Sequence, residues 1–175
     1  MGQRIRIGAY AFVLCCVALA VVGIVGLVIK RPFLFPSLGP TVMLFFDSPA
    51  EPSAAPRNTL IGHGVGILAG LFSLYLLGLA DHGPVTVEGL TGARIVAAAL
   101  SVGLTVLVLR ILDSAHPPAG ATTLIISLGL LTSGSEVLSI AVAIILVTFV
   151  AVAMNRAFKR PQPLWAADEA KEGAR

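Results

Sequence analysis

Two proline- and glycine-rich segments hold the side chains of this sequence that could do chemistry. They are Phe35-Pro36-Ser37-Leu38-Gly39-Pro40-Thr41-Val42 and His116-Pro117-Pro118-Ala119-Gly120-Ala121-Thr122-Thr123. A shift of 81 residues lays one over the other without a gap, so that Pro36 meets Pro117, Gly39 meets Gly120 and Thr41 meets Thr122. In each, the prolines forbid a regular helix at the start and permit one afterwards. A helix that begins inside a bilayer aims unpaired N–H groups, and the positive end of its dipole, at its surroundings. Two such starts could converge on a small anion. Ser37, Thr41, Thr122 and Thr123 would add hydroxyl donors and His116 a ring N–H, with Gly39, Pro117 and Gly120 shaping the backbone. His63, in Gly62-His63-Gly64, is placed either on the path or in solvent near a helix end. Asn58 reads as the cap of the helix it opens. The competing reading of each hydroxyl is a bond back to its own backbone. Neither segment contains Asp or Glu in its interior, whereas a cation path usually carries an intramembrane carboxylate.

The surrounding chain is built for lipid. It is 57% hydrophobic and 12% charged over 175 residues. Eight of its 21 charges fall between Asn155 and Arg175, which leaves too little polar surface for a soluble core. Cys15 and Cys16 are neighbours and exclude a disulfide scaffold. A net charge of +3 without a basic stripe argues against nucleic acid. The uncharged window Ile7–Ile29 and the further apolar stretches Leu60–Leu79, Ile95–Leu112 (charged at Arg110 alone) and Val137–Met154 are each long enough to span a bilayer. The first continues past the small residues Ala18-Leu19-Ala20, so it reads as an uncleaved helix rather than a signal peptide. Gly62, Gly66 and Gly70 form a smooth ridge for close helix approach. Tyr10, Phe158 and Trp165 fall near membrane boundaries. Arg110 and Asp113 read as a boundary ion pair.

These elements predict an all-α integral membrane protein of two repeats, each helix–broken segment–helix: four full spans plus two Pro/Gly-broken or re-entrant segments. The membrane domain is 1–155, with repeat one at about 7–80 and repeat two at about 88–155, and 156–175 is a cytoplasmic tail. If the broken segments re-enter, the repeats are parallel. If they cross, the repeats are inverted, as in many transporters. With four spans the near-membrane Lys and Arg split six inside against four outside; with six passes they split seven against three. Both place the termini in the cytoplasm. Self-association through the glycine ridge is expected, and the duplication favours a pore within each protomer. No cofactor, metal site or enzymatic constellation is recognised: there is no Ser–His–acid set, zinc spacing or phosphate loop.

At His116-Pro117-Pro118 the chain resembles the HPP family of integral membrane proteins. The likeness extends over Pro36 to Thr41, Pro56-Arg57-Asn58 with Gly62-His63, and Asp113 to Thr123. It implies a four-helix membrane protein of the cell inner membrane. Because some relatives are associated with nitrite transport, it also implies a small-anion transporter or channel with nitrite as the leading candidate. The alternative is a non-transporting membrane subunit that binds a partner.

Overall fold

A computed structural model describes residues 1–165. The residues form seven helices: α1 (Gly2–Val28), α2 (Leu38–Asp47), α3 (Pro56–Leu76), α4 (Val85–Glu88), α5 (Gly92–Ile111), α6 (Ala119–Ser127) and α7 (Gly134–Ala157). A single 3-10 turn, Pro52–Ala54, precedes α3. Four of the helices, α1, α3, α5 and α7, are long and apolar enough to cross a membrane. Their outward faces carry large apolar side chains such as Phe12, Leu27, Phe72, Leu107 and Phe149, each more than half exposed. Such faces match a hydrocarbon solvent.

The contacts between elements fix the direction of every pass. Tyr10 stacks edge-on against Phe158 at 5.8 Å, and Arg160 lies 5.3 Å from the Tyr10 ring centroid, so the start of α1 and the end of α7 share one end of the bundle. The Asn155 amide donates to the Phe45 carbonyl and Gln162 to that of Ala54, which puts the end of α2 and the start of α3 at this same terminal end. Arg57 reaches the carbonyls of Leu112 and Asp113, so α5 finishes there too. At the far end the Val85 N–H donates to the Leu128 carbonyl, and Arg94 to that of Ser127. The chain therefore passes from end to end six times, with α2 and α6 each completing a pass. Neither broken segment re-enters to its own end. The leg between α1 and α2 runs back along α1, with Phe33 against Gly26 and Leu34 against Gly23. Its non-helical residues 32–35, at roughly 3.3 Å each where extended, supply length that a ten-residue helix lacks.

The order long–short–long occurs twice, and α2 and α6 begin 81 residues apart. Since α1 leaves the terminal end and α5 returns to it, the two sets run in opposite directions. Buried side chains of α1, α2 and α7, among them Val22, Phe45, Phe46 and Val147, make the main apolar core. The glycine ridge is not an external face. A methyl at Gly62 would lie 2.7 Å from His116 Cβ, one at Gly66 2.8 Å from the Ala119 carbonyl oxygen, and one at Gly70 2.9 Å from Ile126 Cβ. The ridge is consumed in seating α6 on α3, so it offers no surface for another chain. This corrects the expectation of a free packing face.

Helix ends are closed by residues in the left-handed region. Lys30, Asp113 and Lys159 hold φ of 56°, 48° and 54°, positions where glycine would be at ease. At Asp113 this turn points the chain back toward α3 and delivers His116. Asp113 does not pair with Arg110: among the described residues the single acid–base contact is His82–Glu88 at 3.2 Å. Arg57, which donates to backbone carbonyls there, ties down this turn instead.

Candidate functional site: a buried histidine pair between inverted short helices

His63 lies seven residues into α3, roughly 10 Å from its start at about 1.5 Å per residue. It is 1% exposed, as is His116, which is carried on the loop before α6. Only a glycine at position 62 lets the two rings meet, because a side chain there would displace His116. The ring centroids are 4.9 Å apart at an interplanar angle of 65°, and the Nε2 atoms face each other at 3.2 Å. Thr41 of α2 places Oγ1 3.0 Å from His63 Nε2, and Thr122 of α6 places Oγ1 2.7 Å from His63 Nδ1. The two threonines related by the 81-residue shift thus hold the two nitrogens of one imidazole.

With one proton on each ring, a single assignment closes this network. The Ser53 carbonyl lies 2.8 Å from His116 Nδ1 and can only accept, so that nitrogen carries the hydrogen. His116 Nε2 is then an acceptor and must receive the Nε2–H of His63. His63 Nδ1 is in turn bare and accepts from the Thr122 hydroxyl. Thr41 donates to the Ser37 carbonyl at 2.8 Å, so its oxygen shares the His63 Nε2–H with His116. The result is a directional chain from Thr122 through His63 and His116 to Ser53.

The threonines show what is unusual here. Thr41, Thr59 and Thr148 donate to the carbonyl four residues earlier, and so does one of Thr105 and Thr123, the other giving its hydrogen to the bond between their hydroxyls. Thr122 is buried in the same way, yet its hydrogen goes to His63 instead. Among the described residues, the buried polar side chains are hydroxyls, amides, imidazoles and one guanidinium, with no carboxylate.

Thr41, His63, His116 and Thr122 come together. The other expected residues do not join them. Ser37 contributes its carbonyl, while its own buried hydroxyl has no partner. Thr123 bonds Thr105 at 2.9 Å under the α3 glycines. Asn58 is no N-cap, because Ala55 holds that position and the helix begins at Pro56. Its amide instead donates to the Pro52 carbonyl at 2.8 Å and braces the turn that carries Ser53. A methyl at Gly39 would meet nothing within 4 Å, and Pro117 and Gly120 line an outer groove of about 330 Å³ with Thr105, Arg110 and His116.

The helix starts also differ from expectation. The N–H groups of Ala119, Gly120 and Ala121 donate to the carbonyls of His116, Pro117 and Pro118, and that of Leu38 to Phe35. The prolines wind each approach into a tight turn that satisfies these amides locally. Imidazoles and hydroxyls, not open amides, are therefore the groups at the centre.

Two features had little signal in the sequence. The Ser53 carbonyl is a backbone atom with no residue-type signature. Arg94, which the sequence places among the near-membrane charges, is 1% exposed and donates to the carbonyls of Gly83 at 2.7 Å, His82 at 3.4 Å and Ser127 at 3.3 Å. It ties the far-end loop to the last turn of α6, where the helix dipole favours a cation.

Comparison with known proteins places this architecture. The family described as HPP, transmembrane region, matches residues 2–163, and the chain belongs to it. It is a multi-pass membrane protein. Two proteins of Dictyostelium discoideum, each named only as a transmembrane protein, are similar. One is 33% identical over 97 residues, covering 55% of this chain and 30% of its own length. The other is 36% identical over 93 residues, covering 53% and 27%. The chain thus spans less than a third of the curated relatives it matches. No solved structure matches it.

Proposed function

We propose that the chain carries a small monovalent anion across the inner membrane, with nitrite the leading candidate, and that its path is closed here at the histidine pair. One observation carries this reading. Two oppositely directed short helices converge, through matched threonines, on a buried imidazole in an interior that contains no buried carboxylate among the described residues. Such an interior offers hydrogen-bond donors and no fixed negative charge, which suits an anion and repels nothing it would bring. The inverted order of long and short helices supports alternating access by one set moving against the other. A bent monoanion with two acceptor oxygens fits between hydroxyl and ring N–H donors. The chemistry is movement rather than bond cleavage, so the chain acts as a carrier and not an enzyme.

The seven Lys and Arg at the terminal end, against three at the far end, support cytoplasmic termini. The test is flux into proteoliposomes containing the full chain, comparing nitrite with nitrate, formate and chloride. Saturable uptake that exceeds protein-free vesicles is the expected result, lowered at least tenfold by His63→Phe or His116→Phe. Folded, reconstituted protein that moves none of these anions would defeat the proposal.

A further inference from the structure

We infer that the His63–His116 pair couples the anion to a proton, one taken up for each anion moved; this rests on the transport reading above. The argument begins with the number of protons the pair can hold. Four ring nitrogens are present, but the two Nε2 atoms face each other at 3.2 Å and can hold only one hydrogen between them. His116 Nδ1 already carries one against the Ser53 carbonyl. The one remaining place is His63 Nδ1, which now accepts from Thr122. The pair thus has room for a single further proton, and filling that place gives the cluster one positive charge.

Thr122 is built to register the event. When His63 Nδ1 gains a hydrogen, it donates to Thr122 Oγ1 and the hydroxyl hydrogen of Thr122 must turn away. It can then donate to an anion beside the ring, or to the carbonyl four residues back as Thr41, Thr59 and Thr148 do. Shift of the shared hydrogen from His63 Nε2 to His116 Nε2 passes the charge to His116. Return of the shared hydrogen to His63 Nε2 and loss of the added one from His63 Nδ1 restore the resting arrangement, so that one proton enters and one leaves without any further reactant.

Among the described residues no charged group competes for this role. The partners of the rings, again among the described residues, are Thr41 from α2, Thr59 from α3, Thr122 from α6, the Ser53 carbonyl and the other ring, with no carboxylate hydrogen-bonded to either. Of the charged groups nearby, Arg57 is engaged with the carbonyls of Leu112 and Asp113, and Arg110 reaches only the outer groove beside His116. Asp47 and Asp113 are exposed at the terminal end. A positive charge on the pair is therefore left for a mobile anion to neutralise, and an anion moving with it crosses as a neutral unit.

The experiment uses the full chain in vesicles loaded with a pH-sensitive dye, driven by a nitrite gradient, with protein-free vesicles measuring leak of the neutral acid. The expected result is protein-dependent proton uptake in a ratio of about one per nitrite, with an initial rate that an imposed membrane potential does not change. His63→Gln and Thr122→Val should lose the proton signal, and Thr122→Ser should restore it. Protein-dependent nitrite flux that responds to potential and leaves internal pH unchanged would overturn the coupling and leave transport standing. Absence of any protein-dependent flux would overturn both. Because the wild-type measurement alone decides the coupling, a variant that fails to fold does not blunt the test.

Discussion

The arrangement of hydrogens at the histidine pair follows from what each partner can do. A carbonyl cannot donate, so Ser53 makes His116 carry its hydrogen on Nδ1, and the remaining bonds then assign the hydrogen of His63 to Nε2. Nitrogen NMR of selectively labelled histidine should therefore find two different tautomers in the resting protein at neutral pH. Two identical tautomers would contradict the network. Thr122→Val should alter the His63 Nδ1 resonance and leave that of His116 Nδ1 in place, since only the former accepts from the hydroxyl. The 81-residue correspondence was enough to single out Thr41 and Thr122, because it rests on residue spacing. It could not say that both would reach His63. That residue has no counterpart in either Pro-Gly segment, and its meeting with His116 depends on helix packing over a sequence separation of 53 residues.

At the level of elements, the seating of α6 on α3 decides whether the pair can form. A methyl at Gly66 would lie 2.8 Å from both the Ala119 carbonyl oxygen and Thr123 Oγ1, and backbone cannot yield as a side-chain tip does. Gly66→Ala should cost about 1–3 kcal/mol by overpacking and push α6 away from His63. Gly64→Ala, on the same helix where an added methyl would meet nothing within 4 Å, is the control and should not lower thermal unfolding in detergent. Equal stability of the two variants would show that the ridge is not tightly packed. The ridge was legible as a close-packing surface from its four-residue spacing, but spacing does not say which helix fills it.

The far-end loop is held differently. Glu88 accepts from the Gly83 N–H at 2.6 Å, and that bond, helped by His82, holds its carboxyl below the usual carboxylate range. A lowered folded value means that the contribution is present above the ordinary carboxylate pKa and is lost as pH falls through the lowered one. Protection of the Gly83 amide from hydrogen exchange should therefore fall in acid, and Glu88→Gln should make it independent of pH across that range. An unchanged acid profile in the variant would assign the effect elsewhere. This loop contains the carbonyls of His82 and Gly83 that hold Arg94, so its opening would also loosen the last turn of α6.

For the molecule as a whole, the number of passes determines which loops share a side. Charge counting mildly favours six passes over four spans, and the objection to six is that Pro32–Phe46 is short for a complete crossing. The extended leg before α2 removes that objection, and the contacts of Asn155 with Phe45 and Gln162 with Ala54 require the crossing. The two arrangements assign opposite sides to the same residues. With six passes, Glu51 lies on the side of the amino terminus and Asp81 on the other. With re-entrant segments both would switch. In a chain whose Cys15 and Cys16 are replaced by serine, single cysteines at Gln3, Glu51 and Asp81 report this directly through a membrane-impermeant thiol reagent applied to sealed, oriented vesicles. Gln3 and Glu51 should label together and Asp81 from the opposite face. If Glu51 instead labels with Asp81 on the face away from Gln3, or if Asp81 labels with Gln3, the inverted order of the two helix sets falls. The rocking of one inverted set against the other would fall as well, because that motion rests on the opposite directions of the two sets.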